Sequence, residues 1–379
     1  AQNYDEDRDG VLMNGITSVA AGEVAVVILA GGEGTRLGVS IPKALFELDL
    51  PSKMTLIEYQ LKRVKKLQSI LESHGQNPKP IPVYIMTSDY THSAIAAYLI
   101  DKNNFGLSHV VLFQQDMIPN RLEDGRFAIS PSGRIITSPN GNGCVFSSLL
   151  KHGCLDEMKA LGVEYVDIHP IDNILALPAD PFFVGAMIYE GGDAALKILK
   201  KTDPYEHMGT VCKRNGNVTV VEYSEVTESD AENFPYGNTA LHLFTRELCE
   251  RVANEKLKYH VARKKDHFLG PDGQEIEGIV QKYEMFIFDA LDYAENCVLV
   301  EAKREDEFAP IKNSYGSPTD SPETAKEMLV ALHKRWAIEA GCSFEGTGDF
   351  EILPSTSYGG EGLEEAGLAG MIFHLPFSI

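Results

Sequence analysis

Hydrophobic and polar positions divide the first part of the chain into buried strands that alternate with amphipathic helices. Residues 24–29 form an apolar run without polar alternation, which is typical of a strand buried on both faces of a parallel sheet. Residues 81–87 and 110–113 predict two further strands, with a short helix over 93–99 between them. A crossover helix is predicted after the first strand, with four apolar residues on its buried face and four basic residues on its solvated face: Ile57, Leu61, Val64 and Leu71, against Lys62, Arg63, Lys65 and Lys66. This order predicts a doubly wound, mostly parallel, Rossmann-like α/β sheet.

The pattern is less regular after the third strand. It predicts an inserted hairpin over 118–137, followed by a helix over 145–150, a strand over 164–168, a β-pair at 209–212 and 218–222, a strand over 239–244, and a helical stretch rich in Lys, Tyr and His before the turn at Pro271. A charged loop at 304–313 and a helix over 322–340 mark a change of character near residue 300. We expect an N-terminal extension over 1–20, which could be truncated, a main domain over 21–300, and a smaller α+β region over 301–379.

Net charge limits the expected classes of binding partner, and cysteine usage indicates the cellular compartment. The formal net charge of −21 disfavours nucleic acids and anionic membranes as partners. No run of 18 apolar residues predicts a transmembrane helix, and the acidic N-terminal residues do not form a signal peptide. The six cysteines are scattered without a Cys-x-x-Cys motif, which favours the cytoplasm. A polyphosphate ligand would therefore need local cations and a metal to offset the global charge.

The strongest chemical signal follows the first strand. Residues 31–38 contain four glycines, which let the chain turn sharply and bring backbone N–H groups close to a ligand. Arg36 and Lys43 add two cations within reach of the same loop. The pattern is neither a P-loop nor the dinucleotide fingerprint. It indicates a nucleotide-phosphate site, with an ordinary Gly-rich turn as the alternative.

Polar side chains follow several other predicted strands. Gln115 carries a donor and an acceptor side by side, as a base edge does, although a surface glutamine is an alternative. Asn142 lies in a Gly-Asn-Gly turn before a helix, which suits a base or a sugar, or else a simple capped turn. Asp172 is suited to Mg²⁺ held against phosphates, or else to capping a helix. Glu222 and Asn238 suit sugar hydroxyl and N-acetyl groups, although either residue alone is more often a surface residue.

The segment from Leu29 to Gly38, followed by Pro42 and Lys43, resembles the sugar-nucleotide pyrophosphorylases. More closely, the chain resembles the eukaryotic UDP-N-acetylglucosamine pyrophosphorylase family. The resemblance extends along the chain through residues 85–88, 113–115, 141–143, 166–175, 221–225, 304–308, 310–313 and 357–362. It implies that residues 21–300 are a nucleotidyltransferase domain, to which the C-terminal region supplies a phosphate-binding lysine loop.

The resemblance also implies a reaction. UTP and N-acetylglucosamine 1-phosphate would give UDP-N-acetylglucosamine and pyrophosphate, with Mg²⁺ or Mn²⁺ as the cofactor. The sugar-phosphate oxygen is ionised at neutral pH, so in-line attack on the α-phosphorus needs no general base. The implied roles are uracil binding by the backbone of Leu29, Ala30, Gly31 and Gly32 with Gln115 and Gly141; sugar binding by Asn142, Glu222 and Asn238; phosphate binding by Arg36, Lys43 and Lys312; and metal binding by Asp172.

Three departures from the family pattern fall near the implied site. Cys144 follows the Gly-Asn-Gly turn where the family has glycine, Tyr236 stands in the family's Asn-Ala-Gly-Asn segment, and Ala44 replaces the usual glycine after Pro-Lys. UDP-glucose pyrophosphorylases resemble the chain less well, because they tend to have His in the Gly-Asn-Gly position and lack the loop arginine. The alternatives are a pyrophosphorylase for N-acetylgalactosamine 1-phosphate or glucose 1-phosphate, and a non-catalytic nucleotide-sugar sensor.

Overall fold

The computed structural model describes residue 4 and residues 6–75 and 77–379, except for the side chains of residues 224 and 228–230. The helices within this part of the chain are α1 (Arg8–Ala20), α2 (Leu56–Ser73), α3 (His92–Asp101), α4 (Val145–Lys151), α5 (Cys154–Leu161), α6 (Pro181–Tyr189), α7 (Glu228–Asn233), α8 (Arg246–Asn254), α9 (Arg304–Glu307) and α10 (Pro322–Glu339). In these residues, no helix is both long and apolar enough to cross a bilayer.

The strands in the same residues are β1 (Val24–Leu29), β2 (Val83–Thr87), β3 (Val110–Gln114), β4 (Met117–Pro119), β5 (Arg121–Leu122), β6 (Thr137–Pro139), β7 (Tyr165–Pro170), β8 (Ala194–Lys200), β9 (Thr210–Arg214), β10 (Asn217–Val221), β11 (Tyr236–Thr245), β12 (His260–Leu269), β13 (Glu275–Glu284), β14 (Cys297–Glu301), β15 (Ser343–Glu345), β16 (Phe350–Glu351), β17 (Ile372–His374) and β18 (Phe377–Ser378). Within the described chain, nine of these strands form one central sheet in the order β10-β9-β11-β7-β1-β2-β3, with β8 beside β11 and β14 beside β8.

The doubly wound α/β sheet predicted from the sequence is confirmed. Strands β7, β1, β2 and β3 are parallel neighbours, and β14 runs parallel to β8. Strand β11 is antiparallel to β7, β8 and β9. Helices cover both faces: α1, α2, α6 and α10 pack on one, and α4, α5 and α8 on the other. The carboxyl ends of β1, β2, β3 and β7 consequently lie at one edge, where ligands bind in open α/β sheets.

Two sequence predictions are wrong. Arg63 does not belong to a solvated helix face: it is 2% exposed and donates to the carbonyl oxygens of Ile174 and Ala176. The stretch rich in Lys, Tyr and His is not helical, because it forms β12, which pairs along its whole length with β13. In the inserted segment, β4 pairs with β6 as in a hairpin, but β5 joins β13 instead.

The helix predicted over 322–340 is confirmed as α10. It begins with a capping box, in which the Ser321 hydroxyl accepts from the Thr324 N–H and the Thr324 hydroxyl accepts from the Ser321 N–H. Its first turns pack against the same sheet face as α2, and its last turn joins a small core with Phe350 and Phe373. This packing carries the segment before α10 to the ligand-binding edge of the sheet. The division into three regions stays a prediction.

Candidate active site

The glycine-rich loop is folded back on itself at the end of β1. Gly34 donates to the carbonyl oxygen of Ile41 at 2.9 Å, and the Lys43 N–H donates to the Gly32 carbonyl oxygen at 3.1 Å. A Cβ placed on Gly32 would meet no atom within 4 Å, so the backbone at this point is open to a ligand. Arg36 projects from the same loop and is exposed. No described side chain pairs with the Arg36 guanidinium, which leaves its charge available to a substrate.

Gln115 lies directly against this loop. A Cβ on Gly31 would fall 2.1 Å from the Gln115 Nε2 atom, so a larger residue here would force the amide to move. Gln115 is 7% exposed, and a surface position, the alternative for this residue, is therefore wrong. Its Oε1 atom lies 3.6 Å from the Cys144 sulfur, and the Cys144 thiol donates to the Gly141 carbonyl oxygen at 3.0 Å. These contacts join the ends of β1 and β3 to the Gly-Asn-Gly turn.

The Gly-Asn-Gly turn docks on the segment that follows β13. Gly141 has a φ of +83°, and a Cβ at this position would lie 2.3 Å from the Met285 carbonyl oxygen. Gly143 donates to the same oxygen at 2.9 Å, and the Ile287 N–H donates to the Asn142 Oδ1 atom at 2.9 Å. Asn142 is exposed, and its amide nitrogen has no hydrogen-bond partner among the described residues. It can therefore still donate to a ligand.

The C-terminal region contacts the carboxyl end of β7. Lys43 donates to the Ile311 carbonyl oxygen at 3.0 Å, and its Nζ lies 3.9 Å from the Asp172 carboxylate. The Ile311 N–H donates to the Asp172 carbonyl oxygen at 3.0 Å. Asn173 adds a further link, because its Oδ1 atom accepts from the Ala309 N–H at 2.9 Å. Asp172 does not cap a helix, so that alternative is wrong: α6 begins at Pro181 and is capped by Asp180.

Lys312 follows this contact and faces two carboxylates. Burial raises the pKa of Glu222 and that of Asp320, and the positive charge of Lys312 acts in the opposite direction on both groups. The Lys312 N–H also donates to the Asp320 carbonyl oxygen at 2.8 Å. Lys43, Asp172, Lys312 and Glu222 therefore belong to one chain of charged neighbours along the sheet edge.

The chain next to Glu222 and the side chain of Asn238 both lie close to Gly209, just before β9. A Cβ on Gly209 would lie 3.7 Å from the Asn238 Cβ and 3.8 Å from the Val221 carbonyl oxygen. The pairing of β11 with β8 is irregular after Asn238, and Ala240 has a φ of +63°. The Asn238 side chain stabilises this irregularity by accepting from the Ala240 N–H at 2.8 Å. A bulge beside a polar pocket re-aims side chains, as bulges near active sites commonly do.

Sequence reasoning missed a buried ion-pair cluster next to Asn173 at the carboxyl end of β7. Lys197 is 2% exposed and lies 2.6 Å from the Asp180 carboxylate, and it also pairs with Glu307. Burial alone lowers the pKa of Lys197, but the two carboxylates raise it above the ordinary value for lysine. The Glu307 carbonyl oxygen in turn accepts from the Asn173 Nδ2 atom at 2.8 Å. The signal in the sequence was a single lysine inside the apolar run of β8.

The site offers one carboxylate for a metal, that of Asp172, beside the Lys43 ammonium group. Within the described residues, no group of three or more His, Cys, Asp or Glu side chains is arranged to hold a metal ion. A cation bound by Asp172 would need its other ligands from substrate phosphates and water. This is the usual arrangement for Mg²⁺, which keeps several waters and needs only one or two protein carboxylates.

The fold and the strand-end site define a nucleotidyltransferase that acts on nucleotide sugars. Residues 12–356 match the UTP–glucose-1-phosphate uridylyltransferase family model, and the chain belongs to this family. It is 36% identical to human UDP-N-acetylhexosamine pyrophosphorylase-like protein 1, over 92% of this chain and 76% of that protein. It is 37% identical to UDP-N-acetylglucosamine diphosphorylase 2 of Arabidopsis thaliana, over 99% of this chain and 78% of that protein.

A solved structure shows the same architecture. It is that of a candidate UDP-N-acetylglucosamine pyrophosphorylase from Entamoeba histolytica, which superposes with a TM-score of 0.90 at 28% identity. The match covers 99% of this chain and 97% of that one.

Proposed function

We propose that this protein joins UTP and N-acetylglucosamine 1-phosphate to form UDP-N-acetylglucosamine and pyrophosphate. One observation carries the proposal: an unbroken series of contacts runs from Gly31 and Gln115, through Cys144 and Gly141, to Asn142. Open backbone and a buried amide at one end suit a base and its phosphates. Uncharged and acidic side chains at the other end suit hydroxyl and acetamido groups, and the Glu222 carboxylate repels phosphate.

The reaction is an in-line displacement at the α-phosphorus of UTP. An oxygen of the sugar phosphate forms the new P–O bond, and the bond to the β,γ-pyrophosphate breaks, with the electron pair leaving on pyrophosphate. The nucleophile is already ionised, so the protein has to position it and stabilise the charge on the leaving group. Arg36, Lys43 and Lys312 supply this stabilisation, because they are cations next to the open loop and the β7 end.

Asp172 fits a single-carboxylate Mg²⁺ site. When bound, Mg²⁺ neutralises phosphate charge and orients the phosphate oxygens. Lys43 is 3.9 Å from the Asp172 carboxylate, so the lysine and the ion would act on the same phosphates. The contact between Lys43 and the Ile311 carbonyl oxygen ties this centre to the C-terminal region. Lys312, the next residue, is thereby held close to the phosphates.

Pyrophosphate release measured across sugar 1-phosphates tests the proposal. UTP is supplied with N-acetylglucosamine, N-acetylgalactosamine or glucose 1-phosphate, and the UDP-sugar product is identified by mass. We expect the highest kcat/KM with N-acetylglucosamine 1-phosphate. A higher value with either other sugar would transfer the assignment to that substrate. Binding of UDP-sugars without any release of pyrophosphate would identify a sensor.

A further inference from the structure

A half-buried histidine beside the candidate sugar pocket is not used by the proposed reaction. His260 begins β12, and its side chain is 13% exposed. The His260 Nε2 atom lies 2.8 Å from the Asp289 carboxylate, which is 5% exposed. Since a carboxylate only accepts hydrogen bonds, Nε2 carries the proton and donates it to Asp289. Lys258 completes the anchor, with its Nζ 3.2 Å from the other Asp289 oxygen.

The opposite edge of the same ring faces the turn that carries Glu222. The His260 Nδ1 atom lies 3.6 Å from the Glu225 carboxylate. Glu225 closes a single 3₁₀ turn over Tyr223–Glu225, in which its N–H donates to the Glu222 carbonyl oxygen at 2.8 Å. Burial raises the pKa of the Glu222 carboxyl, and His260 is among the nearby groups that oppose this shift. The contact of His260 with Glu225 is thus linked to Glu222 through this turn.

The ring also contacts the segment that holds Asn142. His260 packs on Phe286 with ring centroids 4.2 Å apart. The neighbours of Phe286 are the two residues that dock the Gly-Asn-Gly turn: Met285 accepts from Gly143, and Ile287 donates to Asn142. A single side chain thus connects both sides of the candidate sugar pocket.

We propose that His260 is a positioning residue for sugar recognition, which, anchored by Asp289, sets the relative positions of Glu222 and Asn142. This inference rests on the proposed function, because it assumes that the pocket takes a sugar 1-phosphate. His260 does not touch the reacting phosphates. Its loss should therefore weaken sugar binding and sugar discrimination while UTP binding is kept.

The test compares two histidines of the same strand. In H260Q, the Gln nitrogen can still donate to Asp289, but the contact with Glu225 is lost. The control is H267Q, because His267 is also in β12 and also faces two carboxylates, Glu275 at 3.2 Å and Glu277 at 3.9 Å, but is 62% exposed. We expect H260Q to raise KM for N-acetylglucosamine 1-phosphate about tenfold and to change KM for UTP less than about twofold. The preference over N-acetylgalactosamine 1-phosphate should fall, and H267Q should match the parent.

E225Q is a second variant. It creates no cavity in the core, because the Glu225 side chain is 57% exposed. It should raise KM for the sugar phosphate about threefold, and its result decides the question if H260Q does not fold. Equal rises in both KM values would indicate general loosening and overturn the proposal, as would a sugar KM equal to that of H267Q. A parent protein that releases no pyrophosphate with any sugar 1-phosphate contradicts the proposed function itself. An active parent with unaffected H260Q and E225Q contradicts only the role of His260.

Discussion

The two halves of the candidate site are built in different ways. The nucleotide half, defined as residues 29–43 with Gln115 and Gly141, stands on the parallel strands β1, β2 and β3 and relies on backbone close to glycines. The sugar half, defined as Asn142, Glu222, Asn238 and His260, stands on antiparallel strands, a bulge and a 3₁₀ turn.

The two halves differ in how far apart in the sequence their contacting residues lie. In the nucleotide half, a dozen consecutive residues contain both the turn and the two cations, Arg36 and Lys43, that we propose bind phosphate. In the sugar half, two side chains depend on residues far away in the chain: Asn142 on Ile287, and His260 on Asp289 and Glu225. Asn238 bonds locally, to the Ala240 N–H. Substitutions in the nucleotide half should therefore change turnover and UTP use, whereas those in the sugar half should change the choice of sugar.

The largest effect is expected from R36A. The exposed guanidinium has no partner among the described side chains, so its charge is free to act on the departing pyrophosphate. Its removal should lower kcat by about 10²–10³, the loss seen when one transition-state donor is deleted, with little change in UDP-sugar affinity. R214A is the control, since Arg214 is an exposed arginine at the end of β9. A kcat within about threefold of the parent would show that Arg36 does not stabilise the transition state.

The next effect concerns the metal. D172N keeps the shape of the side chain and removes the charge that attracts a divalent cation. The variant should need about ten to a hundred times more Mg²⁺ for half-maximal rate, with Mn²⁺ giving partial rescue. D101N, on the exposed end of α3, is the matched control. Superimposable Mg²⁺ titrations for D172N and the parent would refute the assignment of Asp172 as a ligand.

The same contrast explains which features could be predicted from sequence. The parallel strands, α2 and α10 follow from apolar runs and helical spacing, which act locally. The glycine loop could be predicted because its residue types are adjacent. Gln115, Asp172 and Glu222 could be placed at the ends of strands of one sheet, and their roles stay predictions.

The two wrong predictions, for Arg63 and β12, concern residues whose structure depends on partners distant in the sequence or in another strand. Arg63 belongs to a basic stretch that is typical of a solvated face, but the open carbonyl groups of Ile174 and Ala176 need a donor, and they are over a hundred residues away. Strand β12 has a charged composition without clear alternation, so only its pairing with β13 identifies it as a strand. His260 could not be singled out from the sequence, because its role depends on contacts with carboxylates that only the fold brings close to it.

The choice of sugar 1-phosphate tests the sugar half of the site. A polar pocket that loses a partner for one of its groups discriminates strongly, because a buried polar group is left unpaired. Glucose 1-phosphate lacks the acetamido group and should be used about ten to a hundred times less well than N-acetylglucosamine 1-phosphate, measured as kcat/KM. N-acetylgalactosamine 1-phosphate differs only at the 4-hydroxyl, so weaker discrimination is expected. Comparable kcat/KM for the glucose and N-acetylglucosamine substrates would indicate a broad UDP-sugar pyrophosphorylase.

Gly141 joins the two halves, and its substitution should damage both. In G141A the methyl group would lie 2.3 Å from the Met285 carbonyl oxygen, at a φ of +83° that disfavours alanine. The segment holding Asn142 must move, so KM for UTP and for the sugar phosphate should each rise about tenfold. G153A controls for the backbone strain alone, because Gly153 has a φ of +73° but open space around it. A G141A variant that raises only one KM would show that the halves are independent.

The smallest effect is expected from Cys144, which departs from the family pattern on the nucleotide side of this junction. Burial raises the pKa of Cys144 to about 12, so at neutral pH it is a thiol that donates to the Gly141 carbonyl oxygen and packs beside the Gln115 amide. In C144A that donor is lost and Gln115 gains freedom, so KM for UTP should rise about threefold while KM for the sugar phosphate stays unchanged. C249A controls for loss of packing, since Cys249 is fully buried in α8. If C144A shifts the sugar KM as much as the UTP KM, or behaves as C249A does, the thiol has no separate part in nucleotide binding.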